Sequence, residues 1–322
     1  MANTPGLNFR LNKKKYSFSL GSAVAFTNFE QKNISVNNIT DYNFVNFLPR
    51  ASYQYKIKPN EGIRITYNGS NNAPTPEQLQ PTRVNTDPLN IYIGNPNLKQ
   101  SFRHNISTSY NFYNVLKEKG LWVSINFNSR DNAFVQSSVI SGNGKRTYQT
   151  VNTNGIFNTG LNANYNMKIK DAKWELGLGP TFNLSRSIDF VNNLKNVTKS
   201  KNYGLRVSLN QHVPEKFNFG FDHTFSWNQS EASVNKSANA KYWSLEIYGS
   251  ATAMFPNNFE LGSSINSEYR QKDPRFNSNN NYTKLNAHLI KRFLKDNKME
   301  LKFSVNDILD QNRLMRCAFN LV

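Results

Sequence analysis

Few side chains in this sequence have the types and spacing that catalysis or metal binding requires. The single cysteine, Cys317, excludes an internal disulfide framework and a cysteine zinc cluster. Asp222 and His223 are adjacent in a segment of alternating residues, so their side chains face opposite ways and cannot form a base with its orienting carboxylate. The four histidines are scattered: His104, His212, His223 and His288. We therefore predict no enzyme activity, no metal site and no cofactor.

A phosphate-binding loop is also missing from the sequence. No Gly-x-Gly-x-x-Gly follows a predicted strand. The one glycine-containing candidate, Ser141-Gly142-Asn143-Gly144-Lys145, has the composition of a hairpin turn. Neither a nucleotide nor a dinucleotide is therefore an expected ligand.

Composition restricts the class of protein further. The chain has 322 residues, a formal net charge of +18 and 13% aromatic residues, an aromatic content that argues against disorder. Its mean hydropathy is −0.65, and no run reaches the ~18 apolar residues of a membrane-spanning helix. A multi-span helical membrane protein is thereby excluded. The excess of basic residues is compatible with binding of nucleic acid, anionic lipid or an acidic substrate, and also with a basic surface that is simply solvated.

Hydrophobic residues recur with a period of two. Every second residue of 217–227 is Phe, His or Trp, and the residues between them are Asn, Gly, Asp, Thr and Ser. Residues 121–128, 203–210 and 299–306 alternate in the same way. Because successive strand side chains point to opposite faces, each run predicts a strand with one apolar and one polar face.

The alternation predicts an all-β chain of about fourteen long strands. Globular strands average ~5–6 residues, whereas a membrane-spanning strand needs ~9–11, so these lengths favour an antiparallel up-and-down transmembrane β-barrel. The predicted strands are 5–12, 16–30, 42–57, 61–70, 100–114, 121–136, 147–168, 173–188, 200–212, 217–230, 240–255, 259–270, 282–294 and 299–309.

The predicted connections alternate in length, as the periplasmic turns and extracellular loops of outer-membrane barrels do. A soluble sandwich with Greek-key crossings has no reason to keep that order. The short ones are 13–15, 58–60, 115–120, 169–172, 213–216, 256–258 and 295–298. The long ones are 31–41, 71–99, 137–146, 189–199, 231–239 and 271–281.

Aromatic and charged residues have predicted places on this barrel. We expect aromatic girdles near strand ends, with Trp174, Trp227, Tyr16 and Tyr203 as members. Cations such as Arg64, Arg206 and Lys302 fall on the polar face, where they would favour anionic solutes or be balanced by nearby acids. Since the aromatics occupy the opposite face, nucleic acid is not an expected partner.

Three segments of the sequence resemble segments of one protein family. The first is Gly94-Asn95-Pro96, followed by Leu98 and Lys99, at the end of the loop 71–99. The second is Ser304-Val305-Asn306-Asp307-Ile308-Leu309-Asp310-Gln311-Asn312, and 47–57 (FLPRASYQYKI) is a weaker third. Together they resemble the TonB-dependent receptor barrels of Bacteroidetes-type bacteria, and more closely their outer membrane protein β-barrel subfamily. There the first motif marks an extracellular loop returning to the barrel, and Asn306, Asp307 and Asp310 match a penultimate-strand motif.

The resemblance implies a location and an activity. It implies the outer membrane of a Gram-negative bacterium, with outer-membrane lipid as a partner. It also implies uptake of a large solute, such as a glycan, peptide or metal chelate, through a plug domain and a TonB-type energy-transducing complex. The resemblance assigns no residues to binding of that solute.

The same resemblance implies that the chain is part of a longer protein. We expect residues 1–312 to be a partial barrel, about 14 strands of 22, lacking a signal peptide, the plug and the last strand. Residues 313–322 (RLMRCAFNLV) lose the alternation and are expected to be an irregular, truncated or frameshifted tail. The alternatives are a plugless porin or adhesin-like barrel, and a soluble β-sandwich binding module.

Overall fold

The computed structural model describes residues 4–33, 38–81, 83–169, 173–273, 281–293 and 298–311. These residues form one sheet of eighteen strands with one short α-helix, α1 (Pro76–Leu79), and two single-turn 3-10 helices, Lys236–Ala238 and Pro256–Asn258. None of the described helices has the length and hydropathy to cross a membrane. The strands are β1 (Gly6–Asn12), β2 (Tyr16–Asn33), β3 (Asn38–Lys58), β4 (Glu61–Asn72), β5 (Arg83–Asp87), β6 (Asn90–Ile93), β7 (Ser101–Asn114), β8 (Lys119–Asp131), β9 (Ala133–Ile140), β10 (Arg146–Thr153), β11 (Ile156–Ile169), β12 (Trp174–Val191), β13 (Leu194–Val213), β14 (Phe217–Ala232), β15 (Ala240–Phe255), β16 (Phe259–Arg270), β17 (Tyr282–Phe293) and β18 (Met299–Val305).

Fourteen of the strands form an antiparallel meander. The order is β1-β2-β3-β4-β7-β8, then β11 to β18 in sequence. The up-and-down architecture is therefore confirmed, and β5, β6, β9 and β10 belong to connections at one end. The sheet is not closed, because no register joins β1 to β18 along the described residues, and every residue of both strands is exposed.

The strand register sorts side chains into two continuous faces. Leu205 lies opposite Pro180 on one side and Phe225 on the other, whereas Gly204 lies opposite Thr181 and Ser226. We call the first the apolar face and the second the polar face. Many large side chains of the apolar face are solvent-exposed in the isolated chain, including Phe9 (61%), Phe47 (51%) and Phe303 (68%). Such an extensive exposed apolar surface is suited to contact with hydrocarbon.

On β12 to β15, two bands of aromatic residues mark the two limits of the apolar face. The first joins Phe182, Tyr203, Trp227 and Trp243 at one level of four adjacent strands. The second includes Trp174, whose ring meets Phe219 edge-on at 5.7 Å, and Phe217. Trp227 and Phe217 are ten residues apart on β14, roughly 33 Å along the strand and roughly 25 Å across a membrane at a tilt of ~40°. That separation matches the apolar band of outer-membrane barrels, ~25 Å tall.

The first aromatic band lies farther from the strand ends than predicted. β13 begins at Leu194, nine residues before Tyr203, and β14 continues five residues beyond Trp227, to Ala232. The strands therefore project past the first band as hairpins. His223 lies between the bands, stacked on Phe221 with ring centroids 6.3 Å apart.

Two segments that were predicted as long loops consist largely of strand in their described residues. The prediction for 189–199 is wrong: β12 and β13 pair up to Val191 and Leu194 and are joined by Asn192 and Asn193 alone. Both asparagines have positive φ, 49° and 64°, as a two-residue type I′ hairpin turn requires. The prediction for 31–41 is wrong at both sides, since β2 extends to Asn33 and β3 begins at Asn38.

Two predicted continuous strands are each broken. Residues 121–136 divide into β8 and β9 at Asn132, and 147–168 divide into β10 and β11 at Asn154 and Gly155. Asn132 has φ 49° and Gly155 has φ 91°, a left-handed backbone that cannot continue a strand. The alternating pattern crosses these breaks, so periodicity alone did not reveal them.

The assignment of faces predicts how charged substitutions act. Val207 lies on the apolar face opposite His223, midway between the bands. Val207→Arg should lower the free energy of unfolding from phospholipid vesicles by ~2–4 kcal/mol, the cost of a cation facing mid-membrane lipid. The measurement is urea unfolding followed by tryptophan fluorescence.

The control for this experiment lies three residues along the same strand. Asn210 occupies the polar face, opposite Glu175 and Gly220. Asn210→Arg should leave the unfolding free energy nearly unchanged. Equal destabilisation by both variants would contradict the face assignment.

Candidate functional site

The connection between β4 and β7 folds over one end of the sheet and starts with helix α1. Thr75 caps the helix: its hydroxyl accepts from the Gln78 amide at 3.4 Å, and its own amide donates to Gln78 Oε1 at 3.0 Å. Pro76 fits the first helical turn, where its missing N–H leaves no bond unmade. The backbone amide of Glu77 and the Thr75 hydroxyl lower the pKa of the Glu77 carboxyl. Leu79, 1% exposed, anchors the helix.

The β5–β6 hairpin continues this connection. Asp87 closes its turn by accepting from Asn90 Nδ2 at 2.7 Å and from the Leu89 amide at 2.9 Å. These two hydrogen bonds, the Asn90 one foremost, lower the pKa of Asp87. Ile91 on β6 is fully buried. The predicted loop 71–99 thus contains regular structure that alternation did not predict.

Gly94 and Asn95, from the first sequence motif, hold the end of this connection in place. A side chain at Gly94 would place its Cβ 1.9 Å from the Gln80 carbonyl oxygen, so only glycine fits. The Asn95 amide donates to the Gln78 carbonyl at 2.6 Å, and Asn95 Nδ2 donates to the Thr150 carbonyl at 3.0 Å. The motif therefore joins α1 to β10.

The remaining motif residues extend this attachment. Leu98 is buried, at 6% exposure. The Lys99 amide donates to Asn152 Oδ1 at 2.8 Å, and Asn152 Nδ2 donates back to the Lys99 carbonyl at 2.9 Å. Pro96 is exposed and fixes the turn. Sequence reasoning missed Asn152, since nothing local marks a partner 53 residues away.

This segment contacts the β9–β10 hairpin, and the two strands of that hairpin cross over one another. β9 leaves β8 but pairs in parallel with β12 at Phe190 and Val191, while β10 pairs in parallel with β6. At the crossing the Asn132 amide donates to Asn154 Oδ1 at 2.6 Å, and Asn152 Nδ2 donates to the Asn132 carbonyl at 2.7 Å. The asparagines thus satisfy backbone groups where the ladder is interrupted.

A cavity of about 310 Å³ lies where α1, β6, β9 and β10 meet. Tyr92 and Tyr148 stack on one side with ring centroids 5.0 Å apart. Amide side chains supply donors and acceptors around them: Gln78, Gln80, Gln136 and Gln149. Gln149 Nε2 donates to the Gly94 carbonyl at 3.2 Å, so the motif also forms part of this cavity. The cavity can hold a polar ligand group against an aromatic surface.

The second sequence motif ends a strand. The predicted strand 299–309 stops at Val305, because Asp307 and Asp310 take positive φ of 52° and 49°. The Asp307 amide donates to Asn286 Oδ1 and the Ile308 amide to the Leu285 carbonyl. The part of the motif that follows β18, from Asn306 onward, therefore stays attached to β17 as a turn, and Asn312 lies outside the described residues.

The polar face carries small side chains and amides through much of the meander. Serine, glycine and threonine recur on successive strands at facing positions. Examples are Ser19, Ser52, Gly62, Thr66, Ser107, Ser124, Gly160, Gly177, Gly204, Ser208, Gly220, Ser226, Ser250 and Ser264. The apolar face can meet lipid while this polar face meets water.

Within the described ranges no three His, Cys, Asp or Glu side chains come together as metal ligands. Of the histidines, His104 contacts Asp131 (3.2 Å) and Tyr67 (3.0 Å), and His288 contacts Glu260 at 3.4 Å. Cys317 and the predicted tail 313–322 lie outside the described residues.

A fourteen-stranded antiparallel meander with one lipid-compatible face and one water-compatible face is typical of a transmembrane β-barrel protein. The profile of the Outer membrane protein beta-barrel family matches residues 6–192 and 189–317, nearly the whole chain. The protein belongs to that family, which locates it in the outer membrane of Gram-negative bacteria. No curated protein matches the chain.

Family membership assigns the two ends of the sheet. The end of the sheet that carries α1 and the β9–β10 hairpin, together with the projecting β12–β13 hairpin, is the extracellular end, and the opposite end is the periplasmic end. The cavity beside Tyr92 and Tyr148 therefore opens on the extracellular side.

Gly94→Ala tests the attachment of the loop. The added Cβ overlaps the Gln80 carbonyl, so we expect α1 and β6 to detach and amide hydrogen exchange to rise across residues 76–99. Gly142→Ala is the matched control, because no atom lies within 4 Å of a Cβ there. Unchanged exchange in Gly94→Ala would contradict the attachment.

Proposed function

We propose that this barrel is the membrane domain of an outer-membrane transporter that takes up a large solute, in the manner of TonB-dependent receptors. The observation that carries the proposal is the polar face of small side chains. Barrels of about eight strands are filled by side chains, and the diameter grows with strand number. Fourteen strands whose inward positions are largely Ser, Gly, Thr and Asn would leave space for water or a passing solute.

The extracellular loops support uptake. The connection between β4 and β7 is held by hydrogen bonds from Asn95 and Asn152 and carries a cavity with two stacked tyrosines. A formed cavity at the outer mouth could retain a solute before it enters the lumen. A glycan, a peptide and a metal chelate all remain within this proposal.

Energised uptake requires more than a barrel. We propose that a plug domain fills the lumen and that a TonB-type complex in the inner membrane drives its movement. The resemblance of the segments 94–99 and 304–312 to TonB-dependent receptors supports this part. The chain's own role would be binding and passage, without catalysis.

Solute flux into liposomes tests the proposal. The purified chain, reconstituted into phosphatidylcholine liposomes, should admit small sugars and pass larger oligosaccharides more slowly. Ser52 and Ala51 are adjacent on β3 and occupy the polar and apolar faces. With Cys317 replaced by Ser, a bulky polar methanethiosulfonate reagent should reduce flux through Ser52→Cys and leave Ala51→Cys unchanged.

Protease protection identifies folded, inserted protein in the same liposomes. Inserted protein that admits no sugar would contradict transport. Equal effects of the reagent on the two cysteine variants would contradict passage along the polar face.

A further inference from the structure

The polar face is divided into two walls of different charge. On β1–β4, β7 and β8 the register gives polar-face positions to six cations: Arg10, Arg50, Lys56, Arg64, Arg103 and Arg130. In the described residues of these six strands no Asp or Glu takes such a position. We call this the cationic wall.

The second wall, β12–β18, carries charges of both signs, and some of them form ion pairs. Asp222 lies 2.6 Å from Arg206, and Glu260 and Glu300 lie 2.9 Å and 3.0 Å from Arg292. These ion pairs neutralise cations locally. Acids lie among the cations of β12–β18, whereas the described residues of the cationic wall place none on the polar face, so the net positive charge of that face is concentrated on the cationic wall.

Arg103 and Arg130 are directly opposite each other on β7 and β8, at the extracellular end of this wall. Both are exposed, and no carboxylate of the described residues lies within 4.0 Å of either. Like charges directly opposite on neighbouring strands destabilise a sheet. An anion between the two guanidinium groups would remove that repulsion.

The surroundings of the pair can accept such an anion. A cavity of about 410 Å³ is lined by Arg103, Arg130 and, among others, Asn128 and Asn158. Arg103 Nη2 donates to Asn128 Oδ1 at 3.2 Å, which orients its guanidinium. Arg186 also lines the cavity, and its Nη1 donates to the Gly155 carbonyl at 2.7 Å. Guanidinium groups bind carboxylates and phosphates in a bidentate manner.

We propose that Arg103 and Arg130 form an anion-binding site for a soluble solute that carries carboxylate or phosphate groups, at the outer entrance of the cationic wall. The inference rests on the proposed transport function in taking the polar face as the lumen. Arg50 lies one register step further in, beside Asn68, and Arg64 lies deeper on β4. The solute would move along these cations toward the periplasm.

The test combines a binding measurement and a current measurement on the full chain. Arg103→Gln/Arg130→Gln should weaken binding of inorganic pyrophosphate, measured by titration calorimetry, roughly tenfold to hundredfold, as expected for loss of charged hydrogen bonds. It should also lower the preference for chloride over potassium in the reversal potential of a planar bilayer. The control is Lys199→Gln/Lys201→Gln, which removes two exposed cations of β13 at the same end but at apolar-face positions.

Each outcome tests the anion-binding site independently of the proposed transport function. If the channels conduct but the arginine variant binds pyrophosphate as tightly as wild type or the lysine control, the anion-binding site is contradicted. The transport proposal is unaffected by that result. Specific loss of binding in the arginine variant supports the site even where no channel conducts. The titration is repeated in phosphatidylcholine vesicles containing lipopolysaccharide. Unchanged affinity supports a soluble solute, and loss of binding there assigns the arginines to lipid phosphate and overturns the proposal.

Discussion

The requirement that every backbone N–H and C=O be paired within lipid determines most of this structure. Hydrocarbon offers no alternative partner, so strands cross a membrane only when neighbours satisfy them on both sides. The meander from β1 to β18 does this for all strands but the first and last. Those two edges need partners in the membrane, supplied by each other or by another strand.

Once the backbone is paired, side-chain alternation determines where the sheet lies. A mean hydropathy of −0.65 is compatible with a membrane because only one face contacts lipid. The aromatic bands near Trp227 and Phe217 limit that contact to about the thickness of an outer membrane. The other face does not pack against lipid and can carry small residues, amides and charged side chains. The proposals of transport and of anion binding are inferred from these residues.

Strand pairing beyond the membrane has a different role. β12 and β13 extend past Tyr203 to a two-asparagine turn, and β9 and β10 exchange neighbours beyond Asn132. In water an interrupted ladder is tolerated, and asparagine side chains replace the missing bonds. Asn152 illustrates this by bonding both Lys99 and Asn132. Side-chain amides thereby add to the strand pairing and the buried apolar residues that hold the extracellular connections together.

Local signals in the sequence predicted the membrane part of the fold well. Fourteen strands and their order follow from alternation, which is a property of each segment alone. The turn at Asn192-Asn193 had a usable signal, since asparagine tolerates positive φ, but it lies inside the segment 189–199 that was predicted as a loop. The break at Asn132 and the partnership of Lys99 with Asn152 depend on contacts distant in sequence. Likewise, the placement of Arg103 directly opposite Arg130 is evident only from the strand register.

Spin-label accessibility along β14 tests the central claim most directly. Labels are placed singly at residues 217–227, with Cys317, the only cysteine, replaced by Ser, and the chain is inserted into lipid vesicles. Accessibility to oxygen should be high at odd-numbered positions, and accessibility to a polar nickel complex should be high at even-numbered positions. Nickel accessibility without this period of two would contradict a strand that separates lipid from water.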